Sequence, residues 1–388
     1  MNYLIIGNGV AGVEAAINIR KYDSLSKIKI ITSSNHLHYY RPRLISYLTG
    51  NLKIEQLIIY REDFYQNKGI ENLLGKEIKE IDTTNQNIKS TDGKKYVYDK
   101  LLIATGASSF KPPIPGSDIP GVFTLRSIKD AKEILTYSSD KKEITILGGG
   151  ILGIEIADKL KRPNNNITII EMFDRLLPRQ LDKDGAFILE NILKKRGLNF
   201  ILNNSVSAIK GSKRVEKITL RDENEINSEC IIISAGIRPN IHIAKQSGIE
   251  TNKGILIDNN FQTSIKNIFS AGDCSEHNER IYGLWSVSKE QGKLAGLSML
   301  GNTVDYKGSL PSTTLKVTDI DLFSSGDFDF KNPDKVYTKK DDNSYLKIVI
   351  KNGKIVGAIA LGNKQAVVDF KSVISDTKPL NIVNDYFK

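Results

Sequence analysis

Apolar residues along this chain gather in short runs that end in small residues and give way to helical spacing. That alternation is expected of buried parallel strands covered by helices. Residues 4–6 form the first run. It breaks at Gly7-Asn8-Gly9-Val10-Ala11-Gly12, an Ala-rich helical stretch follows, and a second strand comes at 28–31. The order then repeats downstream. Residues 143–147 read as a strand, Gly148-Gly149-Gly150-Ile151-Leu152-Gly153 as the break, 154–160 as helix, and 167–170 as a strand closed by Glu171. Two more buried runs, 101–103 and 230–233, end in Ala104-Thr105-Gly106 and Ser234-Ala235-Gly236. The pattern predicts the α/β class, with two doubly wound, Rossmann-like dinucleotide-binding domains.

Elsewhere the pattern changes. Residues 70–99 alternate apolar and polar and carry Asp92-Gly93, a hairpin signal, and the Pro-rich stretch 111–116 reads as a linker. Residues 345–350 and 355–359 flank Asn352-Gly353, predicting a second hairpin, with helical spacing over 364–374. The expected organisation is a discontinuous first domain of 1–110 and 237–305, a second of 111–236, and a small α+β domain of 306–388.

The glycine breaks carry the chemistry. In each, the first glycine (Gly7, Gly148) permits the tight turn and the second (Gly9, Gly150) lets backbone approach a pyrophosphate. The third (Gly12, Gly153) allows the helix to pack on the strand. Phosphate oxygens would then meet N–H groups of the first helical turn, Val10 and Ala11 in one copy and Ile151 and Leu152 in the other. The copies differ at the end of their second strand. Glu171 stands 23 residues after Gly148, placed to accept both ribose hydroxyls and repel a 2′-phosphate, so this copy should prefer NADH over NADPH. Arg175 and Arg179, just beyond, pull the other way. The first copy has Thr32-Ser33-Ser34 there, neutral and weaker partners for a ribose.

Other candidates lie close by in sequence. Arg41, before Pro42, either pairs with a pyrophosphate or belongs to a surface turn. Asp273, after Gly272, either fixes a polyhydroxyl chain or serves as a turn or capping aspartate. Trp285, the only tryptophan, begins a helix with small residues on one face, the spacing of close packing.

Composition narrows the partners. The net charge is +10 and the pI about 9.2, which favours acidic partners. The basic residues are spread along the chain, so nucleic acid is not expected. Runs such as Lys194-Lys195-Arg196 read as solvated surface. The first apolar run is too short for a secretion signal and no run approaches membrane-spanning length, so a cytoplasmic protein is expected. The two cysteines, Cys230 and Cys274, and the four histidines form no metal-ligand spacing, so no metal site and no disulfide is expected. Cys230 lies inside an apolar strand as a core thiol.

Taken together, Ala104-Thr105-Gly106, residues 263–273 and the two glycine breaks resemble the two-dinucleotide-domain flavoproteins. Within that superfamily, Tyr40-Arg41-Pro42-Arg43-Leu44, Gly150-Ile151-Leu152-Gly153-Ile154-Glu155, Arg179-Gln180-Leu181-Asp182 and Ala271-Gly272-Asp273 resemble the NADH:rubredoxin oxidoreductases. They are similar also to the flavin module of NADH-dependent nitrite reductases. The resemblance implies FAD on the first break and NADH on the second. Gly7, Gly9, Val10, Ala11, Gly12, Ser33, Ser34, Arg41, Pro42, Ile78, Ala104, Thr105, Gly106, Gly272, Asp273 and Trp285 would hold FAD. Gly148, Gly150, Ile151, Leu152, Gly153, Glu155, Glu171 and Gly236 would hold NADH. No side chain is assigned a certain catalytic role: the flavin carries the chemistry, with Glu155 and Trp285 as ring neighbours. Ser34 replaces the usual acid, and Ser46 stands where many relatives have a lysine. Redox cysteines of the disulfide reductases are missing from residues 39–60, and Cys274 reads as structural. The implied activity is electron transfer from NADH through flavin to a small acidic iron protein, rubredoxin or ferredoxin, by a monomer or homodimer. The alternatives are a flavin NADH oxidase, a nitrite or ferredoxin reductase component, and an NADH-sensing flavoprotein that acts by binding a partner.

Overall fold

The computed structural model describes residues 1–309, 312–374 and 385–388. Two compact units divide the chain. The first comprises Met1–Leu44, Lys53–Ser109 and Gly236–Ser309. Its five-stranded sheet runs Ile268–Ser270, Lys100–Ile103, Asn2–Ile6, Lys27–Ile31, Ile70–Leu73, with all pairings parallel. Ile5 stands opposite Ile30 and Leu102 and all three are fully buried, which is why these strands read as apolar runs without alternation.

The helices Val10–Tyr22 and Trp285–Met299 pack against each other in this unit. A side chain on Gly292 would come within 2.2 Å of the Ala11 carbonyl oxygen, and one on Gly296 within 2.7 Å of that of Ala15. The small-residue spacing therefore lets two backbones nearly touch. Ala11, Ala15, Ala16, Ile19, Ala295 and Met299 form a core there with Ile5, Ile30 and Leu102. A second core joins Leu4, Ile31 and Ile103 to Ile81, Ile88 and Tyr96, which belong to an antiparallel sheet of Ile78–Asp82, Asn87–Ser90 and Lys95–Val97. The expected Asp92-Gly93 hairpin turn lies in that sheet, with Gly93 at φ +86°.

The second unit comprises Ile45–Leu52, Phe110–Ala235 and Leu310–Lys388. Its parallel sheet runs Leu198–Ile201, Asn166–Ile170, Glu143–Leu147, Cys230–Ile233, Val122–Thr124. An antiparallel sheet of Val206–Lys210, Lys217–Leu220 and Glu225–Asn227 covers it through Ile209, Ile218 and Leu220. A further five-stranded antiparallel sheet runs Ser312–Val317, Ile320–Gly326, Lys354–Leu361, Tyr345–Lys351, Lys335–Lys340. Its Asn352-Gly353 turn has both residues at positive φ, +50° and +68°, the conformation that matches strand twist in a two-residue hairpin. The helix Lys364–Ile374 seats Val367 and Phe370 on this sheet.

Asp182 ties this sheet to the helix Lys183–Lys195 of the same unit. Its carboxylate caps the helix Lys183–Lys195 through the Gly185 N–H at 3.0 Å. It also accepts from the Tyr345 hydroxyl at 2.7 Å and pairs with Lys347 at 2.7 Å. Among the described residues, no helix is long and apolar enough to cross a membrane and no His/Cys/Asp/Glu group could hold a metal ion.

Candidate functional site: two dinucleotide cradles

In both units the chain leaves the central strand through a glycine at high positive φ, Gly7 at +109° and Gly148 at +117°. Each N–H donates to the neighbouring strand end, Gly7 to Ile31 O and Gly148 to Ile170 O, both at 2.8 Å. A Cβ on Gly7 would lie 2.2 Å from Ala104 O, and one on Gly148 2.4 Å from Ser234 O. A Cβ on Gly12 or Gly153 would lie 2.0 Å from the carbonyl oxygen of the first glycine of its own break. Only glycine fits at these four positions. At Gly9 and Gly150 a Cβ would meet no described atom within 4 Å, which leaves room over the turn.

The helices that follow, Val10–Tyr22 and Ile151–Leu160, have no side-chain N-cap and no acidic residue in their first turn. By contrast, Ser127 caps Ile128–Ser138 and Asp182 caps Lys183–Lys195. Uncapped N–H groups beside open space, at the positive end of a helix dipole, suit a diphosphate. Both cradles fit a dinucleotide pyrophosphate on this geometry.

The second cradle has a carboxylate at the end of its second strand. Glu171 is buried, accepting from the Gly149 N–H at 2.6 Å through one oxygen and from the Phe173 N–H at 3.0 Å through the other. These bonds aim the carboxylate and leave each oxygen acceptor capacity for a hydroxyl. Arg175, the basic residue set against a preference for NADH, is occupied: it pairs with Asp174 at 2.9 Å and donates to Leu181 O at 3.2 Å. Arg179 is exposed. Met172 and Phe173, 66% and 52% exposed, flank the acid as apolar surface suited to a flat ring, a feature the sequence signalled only as apolar residues after a strand. Glu155 is half-buried in the helix Ile151–Leu160, and burial pushes its carboxyl up to about 7, with Lys159 opposing and Asp158 adding to the rise. Gly236, at φ +94°, opens the last segment of the first unit.

At the first cradle the register puts Thr32 where the second has Glu171. Thr32 follows Ile31 and donates its N–H to the edge strand at Leu73 O, just as Glu171 follows Ile170 and donates to Ile201 O. Ser33 is exposed, and Ser34 is engaged within its own loop, its hydroxyl accepting from the His36 N–H at 3.1 Å. Asn8 occupies the position of Gly149, and its side chain reaches Thr32 and the His36 carbonyl oxygen.

Gly272 and Asp273 come to the same place. A Cβ on Gly272 would lie 2.9 Å from the Ala11 Cβ, and the Gly272 N–H donates to Gln291 Oε1 at 2.9 Å. Asp273 accepts from the Ser288 hydroxyl at 2.9 Å, so a tertiary bond to the helix Trp285–Met299 orients it. Ala104, Thr105 and Gly106 end the adjoining strand; Asn240 brackets them, donating to Thr105 O and accepting from the Thr105 hydroxyl through its own carbonyl. Ile78 packs into the core with Leu4, Ile6 and Ile31.

An aromatic group stands at the start of the Trp285 helix. The His38 ring stacks on Trp285 at 5.5 Å and 8°, and Tyr40 meets Trp285 edge-on at 5.1 Å. Arg41 lies over Tyr39 at 5.2 Å, and Pro42 is the middle residue of the single turn Arg41–Arg43. Burial lowers the His38 pKa to about 4, and the charges of Arg41 and Lys289 act in the same direction. The ring is therefore neutral near pH 7 and donates from Nδ1 to Asn8 O at 3.1 Å. Both cysteines are buried, and burial raises the Cys230 thiol to about 12, far from a reactive thiolate.

Residues 1–292 match the family model of the pyridine nucleotide-disulphide oxidoreductases, and residues 311–378 match the rubredoxin NAD+ reductase C-terminal domain. A nitrite reductase [NAD(P)H] of Bacillus subtilis is 34% identical over 98% of this chain, which spans 48% of that relative, about half its length. An NADH-rubredoxin oxidoreductase of Clostridium acetobutylicum is 31% identical over 98% of this chain and 96% of its own. The crystal structure of the NADH:rubredoxin oxidoreductase from that organism superposes with a TM-score of 0.83, at 31% identity over 99% of both chains.

Proposed function

The chain belongs to the pyridine nucleotide-disulphide oxidoreductase family, and from that premise we propose that it is a cytoplasmic reductase that takes electrons from NADH and delivers them through FAD to a small acidic iron protein of the rubredoxin or ferredoxin kind. The observation that carries this reading is the pairing of two like glycine cradles with unlike strand ends. Neutral Asn8 and Thr32 stand at one, and the buried carboxylate of Glu171 at the other.

Bound FAD would supply the hydride-accepting and one-electron chemistry. The protein's own groups bind and orient. Gly7, Gly9, Gly12 and the first-turn N–H groups of Val10 and Ala11 receive the FAD pyrophosphate, with Arg41 and Pro42 beside it. Asp273, held by Ser288, takes the ribityl hydroxyls. Gly148, Gly150, Gly153, Ile151 and Leu152 receive the NADH pyrophosphate, and Glu171 its adenosine ribose. Trp285 is proposed as a neighbour of the flavin ring and Glu155 as a neighbour of the nicotinamide of NADH. Both cysteines of the chain are buried, which supports electrons leaving from the flavin and not through a dithiol. The net charge of +10 would speed encounter with an acidic partner.

Anaerobic stopped-flow reduction with NADH and with NADPH, followed by mixing with rubredoxin, ferredoxin or oxygen, tests the proposal. Flavin reduction faster with NADH, and reoxidation by an iron protein much faster than by oxygen, is the expected result. Oxygen consumption that matches NADH loss and ignores added rubredoxin would instead make the chain an NADH oxidase. Faster reduction by NADPH would remove the role given to Glu171.

A further inference from the structure

Asn8 sits inside the first glycine break yet is only 7% exposed, and three bonds converge on it. Its Nδ2 donates to His36 O at 2.9 Å, its Oδ1 accepts from the Thr32 hydroxyl at 3.2 Å, and its carbonyl accepts from His38 Nδ1 at 3.1 Å. The second break has Gly149 here, where a Cβ would press on Glu171 Cβ at 3.1 Å and Leu176 Cδ2 at 2.8 Å. The two breaks thus solve one problem in complementary ways. At the second, a glycine makes room for a long acid that reaches back from the strand end to the loop N–H. At the first, a short Thr32 makes room for a side chain that reaches forward from the loop to the strand end.

We propose that Asn8 stands in for the ribose carboxylate of the first cradle: it closes the Thr32–His38 connection over the glycine turn and offers a neutral carboxamide to the adenosine ribose of FAD. A carboxamide satisfies this corner better than an acid would. Its Nδ2 faces the His36 carbonyl oxygen, where a carboxylate would bring two acceptors together. One N–H of Nδ2 and one lone pair of Oδ1 stay available for ribose hydroxyls. Asn8 is a positioning residue, acting on the nucleotide half of FAD and not on the reacting ring. The inference rests on the first cradle being the FAD site.

Its test is titration of the full chain, freed of flavin and kept in excess NAD+ so that the second cradle is filled, with FAD, ADP and FMN, each followed by fluorescence or calorimetry. Asn8→Gly should weaken FAD and ADP by about tenfold, the loss of one or two hydrogen bonds, while FMN, which lacks the adenosine, changes less than about twofold. Thr32→Val, which removes only the hydroxyl, should weaken ADP by about threefold. The double variant Asn8→Gly/Thr32→Glu copies the Gly149–Glu171 pair and should regain most of the ADP affinity. Unchanged ADP binding in Asn8→Gly, an equal loss of FMN, or no recovery in the double variant overturns the proposal. A native chain that binds neither FAD nor ADP overturns the assignment of the first cradle, and this inference falls with it.

Discussion

Replacing Glu155 by glutamine isolates the cost that the fold imposes on a charge at the start of the second nucleotide helix. Burial lifts this carboxyl from an ordinary 4.5 to about 7, and Lys159 only partly offsets the rise. The folded state therefore holds the proton more tightly than the unfolded chain. Its contribution to stability is complete below about pH 4.5, declines as the pH rises, and is gone above about pH 7. The displacement corresponds to about 3 kcal/mol at most, and residual solvation of a half-buried group brings the expected value to about 1–2 kcal/mol. Glutamine keeps the shape and carries no charge. Urea denaturation followed by far-UV circular dichroism should find the variant less than about 1 kcal/mol from native at pH 5 and about 1–2 kcal/mol more stable at pH 8.5. In NADH titrations the native protein should show an inflection near pH 7 that the variant lacks. A stability difference that stays constant with pH, or grows toward acid, refutes the reasoning.

Other expectations follow from particular contacts. Gly12→Ala would place a methyl 2.0 Å from Gly7 O, so purified protein should lose most of its bound FAD and about 1–3 kcal/mol of stability, read by absorbance and urea midpoint. Glu171→Gln sets an amide against the N–H of Gly149 or Phe173, and NADH affinity should fall about tenfold or more in anaerobic titration while NADPH affinity falls less. His38 has a folded pKa of about 4, below its ordinary 6.5, so the native fold should lose stability as the pH drops from 6.5 through 4; His38→Gln should flatten part of that loss in FAD-release measurements. Lys347→Met leaves the buried Asp182 without its cation and should cost about 3 kcal/mol in urea, whereas adding Asp182→Asn should recover part of it.

The order of elements was legible because each is a local statement. A parallel strand buried on both faces is mostly apolar: residues 4–6, 101–103 and 230–233 are apolar throughout, and 143–147 has only Glu143 at its start and Thr145 within it. A turn at high positive φ, as at Gly7 and Gly148, must be glycine, and so must a helix residue pressed against the carbonyl oxygen of that turn, as at Gly12 and Gly153; their spacing announced both. The Asn352-Gly353 hairpin and the helix Lys364–Ile374 were equally local. Asp273 was ambiguous because its partner, Ser288, lies on another element, and only packing of the Trp285 helix brings the hydroxyl to it.

The strand end at the first cradle shows where local reasoning stops. From the sequence, Thr32-Ser33-Ser34 marked a missing acid, and Asn8 was one variable position in a glycine break. Folding sets Thr32 in the register of Glu171 and turns Ser34 into its own loop. It also carries Asn8 across to Thr32, His36 and His38, residues 24 to 30 positions away. Sequence by itself determined the two cradles, their glycines and the acid of the second, because backbone sterics and strand burial act within a few residues. Tertiary structure alone decided which side chain closes each cradle, because that depends on the space left by the residue opposite, on the far end of a neighbouring strand.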